Sequence, residues 1–134
     1  MYTRDLVVDE IQKMALVIAK LLGIKSAGTA AEFEEEFNNV LQSEYNIELE
    51  ELLTLTEEEF INKINTAEYS SEKLNALSQM LYVFAEPFNA DAEAQLLLKK
   101  VLAIFDLLEQ KYHTQSFDNL NKRNTIYRYF DIKS

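Results

Sequence analysis

The side chains able to do acid–base or nucleophilic chemistry are few in kind. There is one His, His113, and there is no Cys among the 134 residues. Zero Cys removes disulfides, thiolate zinc sites, cysteine nucleophiles and iron–sulfur ligands together. A single His leaves no His-paired metal site. Glu109 and His113 stand four apart and can share a helix face. That makes one carboxylate–imidazole pair, whereas a di-iron bundle repeats its Glu-x-x-His pairs. The simpler role for His113 is at a helix C-terminus, where the dipole favours positive charge. Paired carboxylates abound, at Glu35 and Glu36, Glu50 and Glu51, and Glu57 to Glu59. Glycosidase chemistry needs two carboxyls facing each other across a pocket with their pKa values pushed apart. Neighbours on one exposed helix do not provide that. Calcium loops need alternating Asp or Asn with a Gly turn, and no such run occurs. Phosphate loops need several glycines, and the chain has two, Gly23 and Gly28. No catalytic residue, cofactor or metal ligand is therefore expected.

What remains is charge and apolar surface. The net charge is −10, unevenly spread. Between Glu32 and Glu59 there are 11 acidic residues and no basic one. Residues 26–98 carry 16 acids against Lys63 and Lys73, a net of −14, whereas residues 1–25 are +1 and residues 99–134 are +3. Glu34, Glu35, Glu50, Glu51, Glu57 and Glu58 are the candidate carboxylates for an acidic partner surface, which would meet a basic protein. The same residues also suit the positive first turns of helices. Residues 121–130 interleave Lys122, Arg123 and Arg128 with Tyr127, Tyr129 and Phe130. Single-stranded nucleic acid is held by such mixtures, but a pI of 4.6 opposes it. Packing of Tyr127 and Phe130 onto the preceding helix is the simpler expectation.

The elements that must position these residues are helices. Two Gly and one Pro leave few tight turns of the kind β-sandwiches and barrels require. The expected class is all-α, an irregular bundle of six or seven helices in one domain over residues 1–134. The first helix is expected from Thr3 to Leu22, with Gly23 past its end. Val8, Leu16 and Val17 widen its apolar stripe until it nearly surrounds the second half. Those three residues are the candidate interface of a homodimer. Thr29 should cap a second helix to Tyr45, and Asn46 a short third one. The Thr56-Glu57-Glu58-Glu59 stretch is a capping box opening a fourth. Ser70 or Ser71 caps a fifth helix ending near Glu86, because Pro87 restricts the residue before it. Asp91 caps a sixth to Tyr112, and a last helix runs from Asp118 to Phe130. The most apolar stretch, Met14 to Ile24, is shorter than the ~20 apolar residues a membrane span needs and contains Lys20. No targeting segment is recognised, and a soluble cytoplasmic protein is expected.

Ala103, Phe105, Leu108, Tyr112, Phe117, Leu120, Ile126 and Tyr127 resemble the pattern of a tetratricopeptide-type antiparallel helical hairpin in the C-terminal half. The opening Arg4-Asp5-Leu6-Val7-Val8-Asp9-Glu10-Ile11-Gln12-Lys13-Met14, followed by Ala19-Lys20-Leu21-Leu22, is similar to a group of small bacterial helical proteins, a domain-of-unknown-function family. The resemblance carries no catalytic motif with it, and the long acidic middle departs from it.

Three function classes follow. A non-enzymatic interaction or scaffold module stands first. A small-molecule binder or enzyme would have a pocket between the first helix and the C-terminal hairpin, lined by Tyr82, Tyr112 and Tyr127. An acidic decoy of a nucleic-acid-binding protein would need the Glu32–Glu59 carboxylates on one surface.

Overall fold

The computed structural model describes the backbone of residues 2–88 and 92–133 and the side chains of residues 9–88 and 92–131. Among the described residues all regular structure is helical, in seven helices. These are α1 (Tyr2–Ala27), α2 (Ala30–Tyr45), α3 (Leu49–Thr54), α4 (Glu57–Thr66), α5 (Ser71–Ala85), α6 (Ala92–Lys111) and α7 (Phe117–Lys133). Packing divides the chain into two compact units, Met1–Thr56 and Glu57–Ser134. No described helix is long and apolar enough to cross a membrane.

In the first unit α2 packs on α1 and α3. Its buried residues include Met14 and Leu21 from α1, Phe33, Phe37, Val40 and Leu41 from α2, and Leu49 and Leu52 from α3. The spacing 33, 37, 40, 41 gives α2 one apolar face. Lys13 and Lys20 of α1 pair with Glu44 and Glu36 of α2 at 2.9 and 3.3 Å.

Two expectations in this unit change. Helix α1 does not stop at Gly23 but continues to Ala27. Ile24 and Lys25 are half-buried, and the Lys25 ammonium lies 5.4 Å from the Phe33 ring centroid. These contacts outweigh the helix cost of one glycine, ~1 kcal/mol. Asn46 does not cap α3. It closes α2 in the left-handed region, φ 53° and ψ 40°, its N–H donating to the carbonyls of Gln42 and Leu41. The residue before α3 is Glu48, whose side chain makes no capping bond. Asn38 substitutes from the neighbouring helix: its Oδ1 accepts from the Leu49 N–H at 2.8 Å.

Thr29 does cap α2. Its hydroxyl accepts from the Glu32 N–H at 3.1 Å, and the Glu32 carboxylate accepts from the Thr29 N–H at 3.0 Å. This reciprocal box holds the Glu32 carboxyl below the usual carboxylate range, chiefly through the Thr29 backbone bond. The contribution of a lowered carboxyl is full above the unfolded value of about pH 4.3 and fades as pH falls through the folded value. Thr29→Ala should cost about 1 kcal/mol, read as a lower melting temperature of the first unit. An unchanged melting temperature would show that the box carries none of the stability of α2.

In the second unit α5 and α6 form the main pair, with α4 and α7 each against α6. Leu74, Leu77, Leu81, Leu97, Leu98, Val101, Ile104, Phe105, Leu108 and Ile126 are buried. Helix α4 begins right after Thr56, and Ser70 caps α5 by accepting from the Lys73 N–H at 3.1 Å. Asp91 lies outside the described residues. Helix α7 is tied by polar contacts as well as by the buried Ile126. Arg123 pairs with Asp106 at 3.0 Å and with Glu109 at 3.1 Å, both on α6. The Asn119 amide donates to Asn75 Oδ1 at 2.9 Å. Tyr127 is 46 % exposed rather than packed, and its hydroxyl accepts from Arg123 at 3.2 Å.

Candidate functional site

The residues read from sequence as chemically active are placed apart. His113 lies beyond the end of α6, exposed, at φ 53°. Glu109 is held by Arg123 and accepts from the Gln115 amide at 3.3 Å. Among the described residues no three His, Asp or Glu side chains gather as a metal ion would need. The three tyrosines considered for a pocket have separate partners. Tyr82 packs edge-on to Phe88 with ring centroids 5.0 Å apart, the Tyr112 hydroxyl donates to the Tyr69 carbonyl at 2.8 Å, and Tyr127 meets Arg123.

The six candidate carboxylates divide between the two units. Glu57 and Glu58 are exposed in the first turn of α4 in the second unit. Glu34, Glu35, Glu50 and Glu51 belong to the first unit. Three of these four, Glu34, Glu35 and Glu50, line one groove of about 550 Å³ between α2 and α3. Its other lining residues are Ala31, Asn38, Glu48, Leu49 and Leu53. Residues 31, 34, 35 and 38 follow i, i+3, i+4, i+7 spacing, so they share one face of α2. The bond from Asn38 to the Leu49 N–H fixes the start of α3 against that face. The result is a groove with Ala31, Leu49 and Leu53 on its walls, four carboxylates around them and no basic residue. Glu32, Glu36 and Glu44 are used within the unit, in the capping box and in the pairs with Lys20 and Lys13.

Glu48 was not among the sequence candidates. The candidates are adjacent carboxylate pairs, and Glu48 has no acidic neighbour; the structure sets it just before the start of α3. The detectable signal was the face Ala31, Glu34, Glu35, Asn38, which puts an amide beside two carboxylates.

The candidate interface on α1 is also resolved by residue. Leu16 is 72 % exposed, whereas Val17, about 100° round the helix, is half-buried. The side chain of Val8 lies outside the described residues. Among the described residues of α1, Ile11 and Leu22, each 47 % exposed, are the other exposed large apolar side chains.

Comparison with family models, curated proteins and solved structures finds no match to the chain.

Proposed function

We propose that this chain is a non-enzymatic interaction module, a small scaffold that docks a basic amphipathic segment of a partner protein in the groove between α2 and α3. The observation that carries the reading is the convergence of Glu34, Glu35, Glu48 and Glu50 on a groove walled by Ala31, Leu49 and Leu53. Apolar walls favour burial of apolar side chains, at about 25 cal/mol per Å². Carboxylates at the rim attract a basic partner and speed its encounter, and salt screens them over ~8 Å at physiological ionic strength. Carboxylates spread along a groove suit cations spread along a peptide. They do not suit one ion, which needs its ligands converging on a point.

The exposed apolar face of α1 supports the second part of the reading, a homodimer through the first helix. A bacterial cytoplasmic setting and a tetratricopeptide-like pairing of α6 with α7 complete the proposal.

The test uses a Lys- and Arg-bearing amphipathic helical peptide as the probe, titrated at low salt. The triple variant Glu34→Gln, Glu35→Gln, Glu50→Gln should bind it about 10-fold more weakly or worse, since each lost rim charge is worth a few tenths to 1 kcal/mol. Raising the salt should narrow the gap. Equal affinity of parent and variant, or equal binding of an acidic peptide, would overturn the reading.

A further inference from the structure

One polar group in the groove between α2 and α3 is not a carboxylate. Of the described residues lining it, Asn38 alone has a side chain that carries donor hydrogens. Its Oδ1 is spent, accepting from the Leu49 N–H at 2.8 Å. That bond also settles which arm of the amide is which. Nδ2 is the other arm of the same plane, and it has no partner among the described residues. It is not a buried atom either, so it stands open to solvent in the groove. The α2 backbone at one end and the Leu49 bond at the other leave this arm little freedom to turn.

An occupant of the groove displaces that solvent. The four carboxylates each suit a cation, but Nδ2 needs an acceptor, and a donor left dry costs affinity. A carboxylate is the wrong acceptor, because Glu34, Glu35, Glu48 and Glu50 would repel it. The backbone carbonyls of a helical occupant are used within that helix. A Ser or Thr hydroxyl tends to bond back to its own helix. The amide oxygen of an Asn or Gln remains, neutral and able to reach across. The same pairing joins α7 to α5 in the second unit, where Asn119 Nδ2 donates to Asn75 Oδ1 at 2.9 Å.

We infer that Asn38 is a specificity-determining residue of the groove, reading one Asn or Gln set within the apolar stripe of a basic amphipathic helix. The inference rests on the groove reading and deepens it: the cations of the partner supply attraction, and the amide supplies register. Ala31, Glu34, Glu35 and Asn38 run along about two turns of α2. A basic helix displaced along that face by one turn still finds carboxylates, so charge alone does not choose between alignments. The amide does, because every alignment but one leaves both amides unpaired. A single polar residue in an apolar seam fixes the register of paired helices in this way.

The probe is the Lys- and Arg-bearing amphipathic helical peptide, with Gln carried in turn through each position of its apolar stripe. At one position Gln should bind about 10-fold more tightly than at the others, the factor expected when a buried polar group is paired rather than stranded. This scan uses the parent chain and so does not depend on the fold of any variant. Asn38→Asp keeps the acceptor for Leu49 and turns the donor arm into a second acceptor. In that variant the ratio of Lys-peptide to Gln-peptide affinity at the matched position should rise about 10-fold, and at the other positions by less than about 3-fold, with helix content unchanged. Equal binding of the Gln peptides at every position overturns the inference, and so does a ratio that rises alike at all positions. Neither result touches the groove reading, which stands or falls with the triple variant of Glu34, Glu35 and Glu50.

Discussion

Phe37→Ala should remove most of the stability of the first unit. Phe37 has no exposed surface, and its ring centroid lies 6.0 Å from that of Phe33 on the same face of α2. Helix α2 packs on both α1 and α3. Truncating a buried Phe costs about 3–5 kcal/mol, part transfer and part cavity. A unit of this size, at ~0.05–0.15 kcal/mol per residue, is worth only about 3–8 kcal/mol. At mid-range of both figures only about 1–2 kcal/mol remains after the truncation. Hydrogen exchange reads this directly: amides of α1 and α2 should lose most of their protection. Amides of α5 and α6 serve as an internal reference, and equal loss in both sets would show that the two units unfold as one. Retained protection in α2 would show that neighbours refill the space.

Lys100→Met should stabilise the second unit. Lys100 is only 1 % exposed, on the face of α6 that also buries Leu97, Val101 and Ile104. Burial lowers its ammonium pKa, and the charge of Glu57 opposes the shift only in part. At neutral pH the protein therefore holds a charge it would be more stable without. The unfolded chain keeps that proton up to about pH 10.4. Between the lowered folded value and about pH 10.4 the unfolded state binds more protons, so stability rises with pH across that window. Below the folded value the penalty is constant. Methionine keeps the unbranched stem and removes the charge, which should gain about 1–2 kcal/mol. That corresponds to a rise of several degrees in melting temperature. The alkaline rise in stability should vanish with the substitution. A lower melting temperature would mean that the attraction to Glu57 outweighs desolvation.

The two changes differ in how visible they are in sequence. Phe37 stands out because residues 33, 37, 40 and 41 repeat at helical spacing, and a face written that way has one reading. Lys100 sits at a core position but is charged, and the sequence pattern alone does not reveal that its stem is buried. Helix starts with a side-chain cap, at Thr29 and Ser70, were legible because the cap bonds are local. The start of α3 was not, because its capping atom comes from Asn38, eleven residues earlier and on another helix. The Asn75–Asn119 bond spans 44 residues and has no local signature at all. On α1 the wide apolar stripe was legible, but which flank α2 covers was not. Met14 and Leu21 fell to the covered side and Leu16 to the open one, which only packing decides. The acidic middle was equally plain as a count and silent as a surface: its carboxylates divide between the groove, the capping box, the ion pairs and α4.

The scarcity of glycine has a cost in local geometry and a return in packing. Four residues, Asn46, Glu68, Phe88 and His113, adopt φ between 53° and 56° just past helices α2, α4, α5 and α6. Glycine would take that conformation without strain, but it would bring no side chain to the joint. Phe88 shows what is gained. Its ring packs edge-on between Tyr82 and Tyr129, with centroids at 5.0 and 5.7 Å. The left-handed residue after α5 is thus a rivet as well as a bend: Phe88 also fastens α5 to α7. Exchanging Phe88 for glycine would relax the backbone and remove the fastener in one step, whereas at the exposed Glu68 and His113 only the relaxation would be felt. Helix punctuation in this chain is written partly in residues that also hold the sentence together.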